Sequence, residues 1–306
     1  MQRYIVTTGH TYADIDGLAC VFAYQELLSK LGIESLALIQ GEWNHSVPRE
    51  VSGWNLHFEK EYLPLPDDKV VMMDVSDVGY LQTGFDLRKV HELYDHHFGF
   101  EKYWQDALGD KCHIESVGAC ATLIVEEWQK RLPHEILPHQ SAQLLGWAII
   151  SNTLNLQSIL ATQRDIAALA TLKPILKDNA DWVARYFQSQ DNSINDDPSY
   201  AIQWDTKHVR TGYMSEEFEI TQLEMWDGSD FIRSHIPMIH EREKSKPETP
   251  WLLSVLSIKD NKNYLYTKSR SIRSVLIDRI GAIFEEDTGE TPRLILRKEI
   301  LRELKA

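Results

Sequence analysis

Gly9-His10-Thr11-Tyr12-Ala13-Asp14-Ile15-Asp16-Gly17 is the stretch on which the reading of this 306-residue chain turns. An apolar run at residues 4–6 leads into it and an amphipathic run at 18–31 leads out, which predicts strand, loop, helix. In an open α/β sheet, the loop after the first strand is where ligands sit. This loop spaces one imidazole and two carboxylates as His-x-x-x-Asp-x-Asp, a mixed nitrogen and oxygen set that divalent ions favour. A helix-capping role for Asp14 or Asp16 and a plain loop role for His10 account for the same residues, so the stretch alone leaves both readings open.

Composition narrows the field. A content of 43% hydrophobic and 25% charged residues is that of a soluble globular protein, and the length suits one large or two ordinary domains. The net charge of −14, with a pI near 5.3, repels polyanions, so extended nucleic-acid binding is not expected. An anionic substrate then needs a local positive site, built from metal ions or a few Lys and Arg. Cys20, Cys112 and Cys120 have no metal-site spacing, and a sparse, odd count fits a reducing compartment. With no signal-peptide pattern and no apolar run of membrane-spanning length, the expected location is cytoplasmic.

Outward from the first motif, residues 35–40 read as a short strand. Residues 70–77, VVMMDVSD, read as a buried parallel strand that ends in acids, with Asp74 at the same edge as the first motif. Residues 90–94 form another strand, which delivers Asp95-His96-His97. Helices are expected to 131 from an opening at 115–120, over 141–156, from Thr162 with Asp165 as its capping-box acid, and over 179–190. The polar stretch 190–198, QDNSINDDP, reads as a linker between residues 1–189 and a smaller domain at 199–306. In that second part, 217–225 alternates as a strand, and 230–242 is helical in part with Pro237 as a break. Residues 251–258 and 264–268 are paired strands, 271–284 is a helix and 294–296 a last strand. The expected fold is α/β: an N-terminal, doubly wound, mostly parallel sheet and a smaller C-terminal α/β domain.

His10, Asp14, Asp16, Asp74, His96 and His97 thus all fall at strand ends, enough donors for two divalent ions. Such a pair activates water and clamps the oxygens of a phosphoryl displacement. The order HxxxDxD, a strand ending in Asp, then DHH, resembles the motif set of the DHH phosphoesterase superfamily, over most of the chain. The second half has no GGGH signature. It is similar instead to the DHHA2 branch, the family II manganese-dependent inorganic pyrophosphatases and prune-type exopolyphosphatases. That branch carries a DxK and a Ser-Arg-Lys motif, which Asp205-Thr206-Lys207 and Ser269-Arg270-Ser271 resemble.

The resemblance implies two divalent ions, manganese first, with cobalt or magnesium as substitutes. His10 and Asp14 would hold one, Asp16 and His96 the other, with Asp74 bridging and a hydroxide shared by the ions as nucleophile. His97, Lys207 and Arg270 would bind the phosphates. The implied partner is a small phosphorylated substrate, pyrophosphate or short-chain polyphosphate, with no extended nucleic acid and no membrane. The branch includes dimers and monomers, so a homodimer stays open. Two positions depart from the pattern. Asn152 stands where the superfamily has a ligating aspartate, and an amide oxygen is a weaker, neutral donor. Ser271 stands where pyrophosphatases carry lysine. A phosphodiesterase acting on a short nucleotide, or a catalytically silent metal- or nucleotide-binding relative, are the alternatives.

Overall fold

The computed structural model describes residues 2–10, 12–61, 63–81, 86–176, 181–210 and 217–305. Two compact units divide at residues 183 and 184.

The first unit is built on five strands: β1 (Tyr4–Thr7), β2 (Ser35–Leu38), β3 (Lys69–Met73), β4 (Val90–Asp95) and β5 (Cys112–Ile114). Their order is β2-β1-β3-β4-β5, and every neighbouring pair is parallel. Every carboxyl end therefore opens on one edge. The order reverses between β1 and β3, and a crevice for ligands lies outside the carboxyl ends at such a reversal. The loop of the first motif follows β1 and Asp74 follows β3, so both stand at this point.

Helix α1 (Ile15–Lys30) starts three residues earlier than the amphipathic run suggests, because the Asp14 carboxylate caps it by accepting from Gly17 N at 2.9 Å. α1 packs on β1, β2 and β3 and on α3 (Cys120–Arg131) and α4 (His139–Asn152). Trp104 of α2 (Glu101–Leu108) packs with Val70, Met72 and Leu93 from the sheet. The expected helix over 141–156 stops at Asn152, since Leu154, Asn155 and Leu156 all take left-handed backbone, at φ 49°, 54° and 62°. α5 (Gln163–Leu172) has the capping box formed by Thr162 and Asp165.

The polar stretch at 190–198 is not an open linker. α6 (Trp182–Asp196) runs through it, and α7 (Pro198–Asp205) follows at once. The reason is helical spacing: Trp182, Tyr186, Phe187, Gln190 and Ile194 are all buried. Gln190 donates to the Tyr186 hydroxyl at 2.7 Å, and Asp191 accepts from Trp226 N and Asp227 N at 2.7 and 3.1 Å. A segment polar in composition is thus tied down by its polar side chains.

The second unit holds β6 (Thr206–Arg210), β7 (Glu217–Met225), β8 (Trp251–Ser257), β9 (Lys262–Tyr266), β10 (Ile283–Glu285) and β11 (Thr288–Glu290), in the order β10-β11-β9-β8-β7-β6. β7 and β8 are parallel and the other pairs antiparallel. Pro237 lies in the first turn of α9 (Ile236–Ser245), directly after the short α8 (Phe231–Ser234). Two expectations fail here. The helix expected over 271–284 is α10 (Arg270–Val275) with one wide turn to Ile280; Gly281, at φ 74°, ends it, and 283–285 becomes β10. Residues 294–296 are buried but join no ladder, because the Asn263 side chain pairs with both the N–H and the carbonyl of Ile295, at 3.0 and 2.7 Å. They lead into α11 (Arg297–Lys305), which the pattern did not announce. Among the described residues, no helix is long and apolar enough to cross a membrane.

Asp165 ties the start of α5 to the segment 118–122 at the start of α3. It is fully buried and accepts from Gly118 N, the Thr122 hydroxyl, Thr162 N and the Thr162 hydroxyl, at 2.6 to 3.0 Å. Asp165→Ala leaves these donors unpaired and should lower unfolding free energy by about 3 kcal/mol or more, read from urea midpoints. Asp165→Asn keeps one acceptor oxygen and should lose less.

Candidate metal centre

The centre is assembled at the carboxyl edge of the first unit's sheet. Asp74 continues the ladder through its N–H, which donates to Tyr94 O at 2.8 Å, and then turns into left-handed backbone at φ 59°. That conformation is costly for most residues and tolerated by Asp. One of its oxygens, Oδ1, is buried and accepts no hydrogen bond. It lies 3.5 Å from His96 Nε2 and 3.9 Å from His97 Nδ1. His96 Nε2 is also 3.8 Å from Asp16 Oδ2. These gaps are long for hydrogen bonds. Two donors each about 2.1 Å from one ion stand about 3.4 Å apart in a tetrahedral shell, so the spacing suits ligands sharing a cation. Asp74, His96 and His97 offer donor atoms that all lie within 4.8 Å of one another.

Asp16 has no exposed surface and accepts from Cys120 N and Ala121 N, at 2.9 and 2.8 Å. Burial, then the nearby Asp14 charge, pushes its carboxyl up to about 7. Burial and the Asp16 and Asp14 charges raise Asp74 well above the usual range. A divalent cation relieves this crowding of buried acids, so the residues present fit the metal that the donor set implies.

Gly17 keeps the space open. A Cβ there would meet Thr8 Cγ2 at 2.7 Å and would stand 3.5 Å from Asp14 Oδ1 and 3.8 Å from Asp74 Oδ2. The two carboxylates therefore face one small gap. Burial lowers the pKa of His10 against the pull of Asp14 and Asp95, which favours the neutral, ligating imidazole. Asp95, also buried, accepts from His96 N, His97 N and His97 Nδ1, at 2.7, 3.1 and 2.8 Å. Although burial works the other way, this bond holds Asp95 low and His97 above its ordinary value. His96 Nδ1 meets Val117 O at 3.3 Å, which leaves Nε2 facing Asp16 and Asp74.

Asn152 is the last residue of α4, and its side-chain N–H donates to Ala148 O at 3.3 Å. The next residue, Thr153, packs on Gly118: a Cβ on that glycine would lie 2.5 Å from Thr153 Cγ2. Position 152 thus adjoins the turn whose Val117 carbonyl steadies His96.

In the second unit Lys207 is an exposed residue of β6. Arg270 is not its neighbour in the sheet. Arg270 opens α10, which follows β9, and β9 stands three places from the β6 of Lys207 in the sheet order. Ser269 caps α10 by accepting from Ile272 N at 3.3 Å, so the Ser-Arg-Ser stretch has a structural role. The cations associated with Lys207 are instead Arg297 and Lys298, at the start of α11. Partial desolvation and then the Arg297 charge lower the pKa of Lys207, and Lys207 in turn lowers that of Lys298. Arg297 donates to the Asp205 carboxylate and, at 2.7 Å, to Asp205 O. Nearby Glu224 is pushed up to about 7 by burial and by Asp205. The signal for Arg297 and Lys298 was the paired cations directly after the apolar run 294–296.

No family model matches the chain. A probable manganese-dependent inorganic pyrophosphatase of Deinococcus radiodurans is 24% identical over 306 residues, covering 95% of this chain and 94% of its own. One of Oceanobacillus iheyensis is 23% identical over 307 residues, covering 97% and 94%. Among solved structures, a family II inorganic pyrophosphatase candidate from Methanococcus jannaschii superposes with a TM-score of 0.65 at 17% identity, covering 100% of this chain and 98% of that one. An exopolyphosphatase-related protein of Bacteroides fragilis gives 0.50 at 12%, covering 99% and 90%. The chain has the two-domain α/β fold of family II pyrophosphatases, and its relatives are pyrophosphatase- and exopolyphosphatase-like.

The Asp95–His97 bond makes a testable claim. Asp95→Asn removes the charge that raises His97 and leaves burial, which lowers it. The His97 pKa should therefore fall, as read from imidazole resonances in an NMR titration. An unchanged midpoint would show that Asp95 does not set it.

Proposed function

We propose that the protein is a metal-dependent phosphohydrolase that cleaves a small phosphoanhydride, pyrophosphate or short-chain polyphosphate. The observation that carries this reading is the buried Asp16 and Asp74 carboxylates facing His96 Nε2, at 3.8 and 3.5 Å, with one Asp74 oxygen unpaired. In this reading His10, Asp14, Asp16, Asp74, His96 and Asn152 hold two divalent ions, and manganese is the metal in the names of the relatives. Bound ions of this kind lower the pKa of water and offset phosphate charge.

The chain's own residues supply the rest. Asp95 fixes His97 through Nδ1 and favours its charged form, so His97 Nε2 keeps a proton for a phosphate oxygen or for the leaving group. Val117 O orients His96 as such carbonyls do for ligating imidazoles. Lys207 binds phosphate, and Arg297 and Lys298 take the part that the tripeptide pattern gave to Arg270. Arg297 suits it because Asp205 fixes its guanidinium, whose fork matches phosphate geometry. A second reading, a relative that binds ligand without turnover, is favoured by Asn152 alone.

Phosphate release with added manganese separates the two, using pyrophosphate, tripolyphosphate and a dinucleotide in parallel. The natural protein should release phosphate from one of the anhydrides, and the dinucleotide should stay intact. His96→Ala should cut the rate by more than about 100-fold, since loss of a mere supporting partner in metal sites costs about 10–100-fold. Silence of the natural protein, with turnover gained by Asn152→Asp, would establish the second reading.

Metal binding is testable without turnover. At a manganese concentration about 100-fold above Kd, binding should stabilise the fold by about 2.7 kcal/mol, seen as a raised melting temperature over protein in chelator. Asp74→Asn should shrink that response. It should not lower the melting temperature in chelator, because it removes a crowded charge.

A further inference from the structure

The opposite, amino-terminal edge of the same sheet gathers positive charge. Tyr4, Lys69 and His91 stand at the starts of β1, β3 and β4, and Lys111 directly precedes β5, on four adjacent strands. Tyr4 and Lys69 face each other in register. Val70 then faces Val90 while Val71 faces Glu92, so His91 is the extra residue of a bulge. Bulges re-aim side chains, and bulges are rare between parallel strands. Here the bulge brings the His91 ring edge-on to the Tyr4 ring, at 5.8 Å between centroids.

Two ammonium groups converge on that imidazole. Lys69 Nζ is 3.3 Å from His91 Nε2, and Lys111 Nζ contacts the same nitrogen. One ring nitrogen accepts one hydrogen bond, so most of the six ammonium N–H groups are left over. Neither lysine has a carboxylate partner among the described residues. Burial first, and then the Lys111 and Lys69 charges, push the His91 pKa down against the pull of Glu92.

A cavity of about 320 Å³ opens here, with Tyr4, His91 and Lys111 on one side and Lys130 and Arg131 at the end of α3 on the other. Its two acids are engaged. Glu92 accepts from the Tyr24 and Tyr94 hydroxyls, at 2.7 and 3.0 Å, and Glu127 accepts from Lys130 at 2.8 Å. The C-terminal ends of α1 and α3 add partial negative charge, which Lys30, Lys130 and Arg131 in their last turns offset. At His91 the Lys111 and Lys69 charges outweigh that of Glu92, in a chain of net charge −14.

We propose that this cavity is a second anion site, where Lys111 and His91 of its lining, with Lys69 beside the His91 ring just outside the lining, take a small phosphorylated anion, and Tyr4 is its apolar wall. The five residues from His91 to His96 put it about 16 Å from the candidate metal centre, so the two take separate molecules. Charge-assisted bonds from two lysines to phosphate oxygens replace the mutual repulsion of the ammonium groups. The site goes beyond the proposed hydrolysis and does not depend on it.

The test follows the His91 imidazole resonances of the full-length protein during titration with inorganic phosphate, AMP and ATP, in chelator. The expected result is a saturable shift. Lys69→Gln with Lys111→Gln should weaken it about tenfold or more, and the paired Lys→Arg variants should restore it. Equal affinity for phosphate and AMP would assign the site to the phosphate group alone, and tighter AMP or ATP binding to a nucleotide. No shift of His91 at about 10 mM ligand, a concentration that would fill even a weak site, overturns the proposal. So does a shift that the double Lys→Gln variant reproduces. Phosphate release from pyrophosphate by that variant is measured separately, so failure at this site is distinct from failure of the hydrolase reading.

Discussion

A carboxylate with no exposed surface, Asp16, caps a helix to which it does not belong. α3 starts at Cys120 after Ala119, a residue with no capping side chain, so its first N–H groups need partners from elsewhere. Asp16, on α1, provides both of its oxygens to Cys120 N and Ala121 N. The positive end of α3 lowers the cost of burying that charge, and the charge in turn binds α1 to α3. The compensation is incomplete, since burial still lifts the carboxyl to about 7, with Asp14 adding to the shift. Asp74, raised as well, adds a further acid without an adequate partner. The fold therefore carries a standing deficit of positive charge at one sheet edge, which a divalent cation would remove.

The same helix start is held from its other side. Asp165 grips Gly118 N and the Thr122 hydroxyl, and so fixes the turn whose Val117 carbonyl meets His96. Two buried acids from separate helices thus clamp one short segment, and the segment must be slim to fit. Gly118 has no room for a Cβ against Thr153 and Asp165, as Gly17 has none against Thr8. The small residues that flank the motifs are part of the site's geometry rather than filler between ligands.

How much of this could be read from the sequence follows from where each residue gets its position. His10 and Asp74 lie just beyond strands, and Asp95 ends the strand that leads into His96 and His97. In a parallel sheet every such end lies on one edge, so local pattern suffices to group them. Nothing local reveals that Asp16 reaches Cys120, 104 residues away, or that Asp165 reaches Gly118. The second unit shows the opposite hazard. Ser269-Arg270-Ser271 resembles a short motif, and its serine is also the cap of the helix that Arg270 opens. The association of Lys207 with Arg297 and Lys298 depends on sheet register and on Asp205, which a tripeptide cannot encode. The polar 190–198 stretch misleads for a related reason: composition does not show that Ile194 continues the buried face of α6 or that Gln190 and Asp191 are hydrogen-bonded.

Asn152 brings these considerations together. Its amide N–H donates back to Ala148 O. The chain beyond it turns at once through three left-handed residues, and Thr153 locks onto Gly118. Position 152 is therefore held in place by the same clamp that steadies His96, whatever residue occupies it. An oxygen donor is kept there and a negative charge is not. If Asp16, Asp74 and His96 held a cation beside it, an amide there would leave more positive charge for a substrate to neutralise and would hold the ion less strongly than a carboxylate. It also spares the metal-free protein a further acid at an edge already crowded with Asp14, Asp16 and Asp74. An amide at position 152 would thus trade strength of metal binding for stability of the metal-free protein.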